Sequence, residues 1–143
     1  MARFSMLLAL FAAAAATAAP VQQRALGSLQ CNVDRFKIVT TLAATSGAVK
    51  NIDTTNPDTA TAVATAQAGL SSAGDGIKAI ALALITGGTP PADARDQVKT
   101  GLDDAQTALI GITDPTVSDT VAAAQSKLAA AIQDGNDVVA DCD

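Results

Sequence analysis

Cys31 and Cys142 are the two cysteines of this chain, and they bracket nearly everything between an N-terminal secretion signal and the C-terminus. Paired with each other in an oxidising compartment, they tie the first turn of a folded domain to its last and place both ends at one pole. The same pairing removes cysteine from the candidate nucleophiles and metal ligands. A bridge between two chains is the alternative arrangement.

The first twenty residues have the layout of a secretory signal. Arg3 supplies the positive region, Phe4 to about Ala16 the apolar run, and Ala16-Thr17-Ala18 the small-x-small site, with cleavage expected after Ala18. The expected organisation is a signal peptide over 1–18, a short flexible leader over 19–30 and one helical domain over 31–143. The apolar run falls short of the ~20 residues a membrane span requires, no second run of that length is read downstream, and no apolar tail for a lipid anchor is expected. The mature protein is expected to be secreted and extracellular.

About 125 residues remain after the signal, enough for one independently folding domain. The chain has no His, Trp or Tyr, every acidic residue is Asp, and the net charge is -5. Without imidazole or thiolate, the usual general-base, nucleophilic and zinc-binding constellations have no members. Nucleic-acid binding needs clustered cations and stacking rings, whereas the balance here is acidic and Phe36 is the one aromatic residue expected after the signal. No catalytic residue, metal site or cofactor is therefore expected.

Periodicity predicts four helices. Asn32 is read as the cap of a first helix to about Ile52, with Phe36, Val39, Leu42, Val49 and Ile52 on or near its stripe and Asp34 suited to the helix dipole. Asn56-Pro57-Asp58 starts the second helix, in which Val63, Ala66, Leu70, Ala73, Ile77, Ile80 and Leu84 recur at three- and four-residue steps. Gly87 and Gly88 end it. Pro90 and Pro91 open a third helix along Ala94, Val98, Leu102, Ala105, Leu109 and Ile112. Asp114-Pro115 opens a fourth along Val117, Val121, Ala124, Leu128, Ala131 or Ile132, Gly135, Val138 and Cys142. Gly74-Asp75-Gly76 and Asp134-Gly135-Asn136 predict a kink or short break in the second and fourth helices, since each glycine costs about 1 kcal/mol relative to alanine.

The second and fourth helices also repeat one another. Thr55, Pro57, Val63, Ala64, Ala66, Gln67, Leu70 and Ala73 recur at a constant offset as Thr113, Pro115, Val121, Ala122, Ala124, Gln125, Leu128 and Ala131. A fainter echo links the first helix to the third, so two related helical hairpins are expected. The predicted fold is an all-α, up-down-up-down four-helix bundle, whose connectivity independently brings Cys31 and Cys142 to the same pole.

Few polar groups gather. Asp93, Asp96, Asp103 and Asp104 form the densest carboxylate group, but Asp93 and Asp96 suit a helix N-terminus, and Asp103 and Asp104 turn away from each other, so a solvated face is expected. Thr54, Thr55 and the threonines of 59–65 suit either helix faces or O-linked sugar. What remains is apolar surface. The candidate contacts for an apolar ligand are Leu42, Val63, Leu70, Leu102, Leu109 and Leu128, which equally make an ordinary core.

The segment Cys31-Asn32-Val33-Asp34-Arg35-Phe36-Lys37-Ile38-Val39, the Ala/Thr-rich helices after it and the phrase Ala73-Gly74-Asp75-Gly76-Ile77 resemble the small secreted proteins of filamentous, especially basidiomycete, fungi. More distantly, the chain is similar to the hydrophobic-surface-binding protein A and cell-wall galactomannoprotein family. The likeness spans essentially the whole mature chain. It implies a helical extracellular protein without a catalytic motif, in a family some of whose members bind fatty acids or adsorb to hydrophobic solids. The bracketing cysteines and the scarcity of aromatic residues depart from that family. The expected function is non-enzymatic binding of a fatty acid or other apolar ligand, a hydrophobic surface or the cell wall, by a monomer. The alternative is a secreted signalling or regulatory protein that acts on a protein partner and has no lipid cavity.

Overall fold

The computed structural model describes residues 29–142, so the expected signal peptide and most of the expected leader lie outside it. Four helices follow in order: α1 Leu29–Lys50, α2 Pro57–Ile85, α3 Ala92–Ile110 and α4 Ser118–Cys142, with a single 3-10 turn at Pro115–Val117 before α4. No strand occurs among the described residues, and the all-α four-helix bundle is the observed fold.

Helix boundaries follow local chemistry. Asn56 Oδ1 accepts the backbone N–H groups of Asp58 at 2.9 Å and Thr59 at 3.4 Å, while Pro57 occupies the first turn, where no N–H is needed. Gly87 takes a left-handed φ of 75°, and the Gly88 N–H returns to Ala83 O at 2.7 Å, closing the end of α2. Asp114 Oδ1 accepts the Thr116 N–H at 2.9 Å, repeating at α4 the role of Asn56 at α2.

Two local expectations are corrected. α1 begins at Leu29, not after Asn32, which lies inside the helix. α2 and α4 are also continuous, without a break at either glycine cluster. The physical reason is that these glycines are contact points: a Cβ at Gly76 would lie 2.7 Å from Ala94 O, and one at Gly135 would meet Ile38 Cδ1 at 3.4 Å. Close helix packing there offsets the low helix propensity of glycine.

The four helices neighbour one another cyclically, but unequally. α2 lies far more intimately on α3 than on α1, and α1 far more intimately on α4 than on α2. The bundle is therefore two layers, α1/α4 and α2/α3, pressed face to face. The small residues explain the pairing: Gly69, Ala73 and Gly76 of α2 meet Ala94, Val98, Gly101 and Ala105 of α3. Between the layers sits an aliphatic core that includes Leu42, Val63, Leu70, Leu102, Leu109, Val121 and Leu128.

The sequence repeat maps onto this arrangement. Val63, Ala66, Leu70 and Ala73 are buried in α2, and their counterparts Val121, Ala124, Leu128 and Ala131 are buried in α4. Exchanging α1 with α3 and α2 with α4 converts the α2/α3 layer into the α4/α1 layer. Under that exchange, the Cys31–Cys142 bridge takes the place of the 86–91 loop. Each layer is thus closed at the same pole, one by backbone and one by sulfur.

Candidate functional surface

The disulfide pole carries the features that distinguish this bundle. Cys31 and Cys142 are bonded, with their Cα atoms 5.1 Å apart, and Cys31 is fully buried. One turn along α1, Asp34 is a carboxylate with 0% exposure. It is satisfied locally: Gln30 Nε2 donates to both oxygens at 3.0 and 2.9 Å, and Lys37 Nζ donates at 2.9 Å. Asp141 of α4 supplies a further carboxyl hydrogen bond. The Lys37 and Gln30 donors hold Asp34 below the ordinary carboxylate range, while hydrogen bonding to Asp34, with some burial and further charge repulsion, raises Asp141. The two carboxyl groups therefore titrate as a pair across the α1/α4 seam, Asp34 lowered and Asp141 raised.

Sequence reading gave Asp34 a role only in the helix dipole; in the fold it lies on the buried face of α1 with Cys31 and Ile38. The expected α1 stripe is corrected in part: Phe36 is 70% exposed and Val39 48%, while Ile38, Leu42, Thr45, Val49 and Ile52 take the core positions. Phe36 falls with Leu29 and Val33 on the face of α1 opposite the core, spaced i, i+4 and i+7.

A second apolar surface arises from unequal helix lengths. Gly76 is level with Ala94, near the start of α3, yet α2 continues to Ile85, about two turns further. Ile77, Ile80 and Leu84 keep the register of the buried seam, but α3 does not reach far enough to cover them and they are half-buried. Leu82 and Ile85 are largely exposed, as is Val139 near the end of α4. Of the large hydrophobic residues exposed in the described chain, Ile110 alone lies at the opposite pole. Exposed apolar side chains therefore occur near the disulfide end on three helices: Leu29, Val33 and Phe36 on α1, Leu82 and Ile85 on α2, and Val139 on α4.

Among the described residues, α2 is also the one helix long and apolar enough to cross a membrane by length and composition, with a window of mean hydropathy 1.3. Sequence reading missed this run because alanines and glycines dilute its large side chains. Its intimate contact with α3 shows what those small residues do in the bundle.

The six expected contacts, Leu42, Val63, Leu70, Leu102, Leu109 and Leu128, come together as one buried cluster; Leu42 is the most open of them, at 8% exposure. They line no chamber in this closed form. An open groove of about 370 Å³ lies outside the α2/α3 seam, rimmed by Thr65, Ser72, Asp104 and Thr107. Its lining mixes hydroxyls and a carboxylate with Ala68, Gly69 and Ala108, so it does not resemble an enclosed site for an acyl chain.

Thr45 and Thr59 are also buried, and Asp134 Oδ2 is buried without a hydrogen-bond partner, whereas the α3 carboxylates lie at the surface. Asp93, Asp96, Asp103 and Asp104 are exposed on α3, with Asp103 paired to Lys99 at 2.5 Å. No group of three or more potential metal ligands occurs among the described residues. Thr61 and Thr65 each donate to the backbone carbonyl four residues earlier, at 3.0 Å. No family model, curated protein or solved structure matches this chain.

Proposed function

We propose that the protein is a secreted, non-enzymatic binder of apolar surfaces, and that it meets them with its disulfide pole. The observation that supports this reading most strongly is the gathering of Leu29, Val33, Phe36, Leu82, Ile85 and Val139 towards that pole, exposed to water. These side chains share one end of the bundle on three different helices, so that end, rather than one flat patch, is the part of the surface richest in large apolar groups. The overhang of α2 adds half-buried Ile77, Ile80 and Leu84 beside them. The resemblance in layout to the hydrophobic-surface-binding family and the lack of imidazole and free thiol support the same reading.

A flat apolar surface is favoured over a single enclosed fatty acid because the six core aliphatics are closed against one another. The reading is tested by adsorption to alkyl-coated silica from dilute solution. A triple variant, Phe36→Ser/Leu82→Ser/Ile85→Ser, changes residues that the fold already leaves in water, so folding is expected to survive. Wild type is expected to adsorb and the variant to lose about tenfold or more in affinity, since each apolar contact removed is worth on the order of 1 kcal/mol or more. Equal adsorption by the two proteins contradicts the assignment of the surface, and no adsorption by wild type favours the protein-partner alternative.

A further inference from the structure

We infer that the bundle opens between its two layers, hinging at the pole opposite the disulfide, and that the opened form presents the leucine seam to an apolar surface. What the opened form does rests on the surface-binding reading; the opening itself rests on topology.

Four covalent links join neighbouring helices, and their placement is uneven. The Cys31–Cys142 bridge closes the α1/α4 layer and the 86–91 segment closes the α2/α3 layer, both at the apolar pole. The two links that cross from one layer to the other, residues 51–56 and 111–117, both lie at the far pole. No covalent link therefore holds the layers together at the disulfide end. The bridge stiffens one layer without fastening it to the other.

The non-covalent contacts follow the same division. Within layers, backbones meet at Gly69 and Gly101, and the Ile38 side chain packs on Gly135. Between layers, contact is thinner and mostly aliphatic, as where Leu42 Cδ2 lies 3.8 Å from a Cβ position on Gly74. The polar ties between layers lie towards the hinge. Thr59 Oγ1 donates to Asp114 Oδ2 at 3.4 Å, joining the first turn of α2 to the 111–117 segment, and Gln125 Nε2 donates to Leu109 O at 3.1 Å. The short α3 leaves the opposite end of the interface uncovered.

Separation along this plane preserves the backbone hydrogen bonds of all four helices, the disulfide and the glycine contacts. It exposes one continuous apolar sheet of Leu42, Leu70, Leu102, Leu109 and Leu128. An apolar surface replaces the contacts that these residues lose with each other, whereas water does not. Adsorption therefore favours the opened state by its differential interaction with it.

Two matched cysteine probes test the opening in solution. Ile38 and Leu42 are adjacent buried positions on α1 with similar exposure, 6% and 8%; Ile38 meets Gly135 within its layer, and Leu42 meets Gly74 across the interface. Ile38→Cys and Leu42→Cys are compared for thiol labelling in native buffer with the disulfide intact, after circular dichroism confirms that both fold. Layer opening gives labelling of Leu42→Cys about tenfold or more faster than Ile38→Cys, although Ile38 is closer to the disulfide end. Equal rates, or faster labelling at Ile38→Cys, overturn the hinge.

The surface role is read separately. The Leu42→Cys/Gly74→Cys variant is bridged with dibromobimane and compared on alkyl-coated silica with the same variant capped by monobromobimane. The bridged form is expected to cover a smaller area per molecule at saturation. Equal areas overturn spreading while leaving adsorption through the pole intact. If neither form adsorbs, the surface-binding reading and spreading fail together, and the labelling comparison still decides whether the layers open.

Discussion

Gly69 and Gly101 face each other backbone to backbone: a Cβ at Gly101 would lie 2.5 Å from Gly69 O, and one at Gly69 would lie 2.6 Å from Gly101 O. No side chain fits between these helices without moving one of them. Gly101→Ala and Gly69→Ala are therefore expected to destabilise the protein by about 1–3 kcal/mol each through overpacking. Gly47 provides the contrast, since nothing lies within 4 Å of its Cβ position in mid-α1. Gly47→Ala is expected to stabilise by roughly 0.5–1 kcal/mol. Urea titrations of the three variants check both signs.

The disulfide takes the place that the 86–91 loop holds in the other layer, so its loss loosens α1 against α4 first. The Cys31→Ser/Cys142→Ser variant is expected to lose about 2–5 kcal/mol of stability. Hydrogen exchange is expected to accelerate near the ends of α1 and α4 while the middle of the α2/α3 seam keeps its relative protection. Uniform acceleration across all four helices would mean that the two layers are not separate units.

Asp34 and Asp141 make stability depend on pH in opposing directions. Asp34 is lowered from the ordinary value of 3.8 in the fold, so its contribution is present above that value and is lost as pH falls through the folded pKa. Asp141 is raised above 3.8, so the stability it gives when protonated is present below that value and is lost as pH rises through its folded pKa. Together they place greatest stability in acidic solution between the lowered Asp34 and the raised Asp141. Asp141→Asn removes a charge facing Asp34 and Asp137, with Lys37 alongside. It is expected to raise the melting temperature at neutral pH and to flatten the profile as pH rises. An unchanged profile would show that the Asp34–Asp141 pair contributes nothing to the pH dependence of stability.

At the hinge, Asn56 caps α2 by accepting the N–H groups of Asp58 and Thr59. Asn56→Ala is expected to cost about 0.5–2 kcal/mol from the lost cap. If the layers open here, the same variant also raises the labelling rate at Leu42→Cys more than at Ile38→Cys.

Much of the bundle was legible because its signals were local and redundant. Asn56-Pro57 and Asp114-Pro115 mark helix starts by side-chain capping, Gly87 marks a stop by its backbone freedom, and the Val63–Ala73 and Val121–Ala131 stripes repeat each other. The start of α1 was harder to read. Asn32 has the chemistry of a cap, but helix extends back to Leu29, and separately the core face runs through Ile38 rather than Phe36. A polar residue at a core position, Asp34, broke the apolar periodicity that would have revealed the true face. The overhang of α2 was not legible because register alone cannot show where a neighbouring helix ends. Ile77, Ile80 and Leu84 read as seam, and they are half-buried only because α3 begins near the level of Gly76. The six residues offered as ligand contacts lie together in the buried core, and periodicity does not distinguish a closed core from one that opens.

The most direct test is hydroxyl-radical footprinting of the wild-type protein free in solution and adsorbed on alkyl-coated silica. Phe36, Leu82 and Ile85 are expected to lose reactivity on adsorption, while Ile110 at the opposite pole keeps it. Loss of reactivity at Ile110 with Phe36, Leu82 and Ile85 unchanged would contradict contact through the disulfide pole.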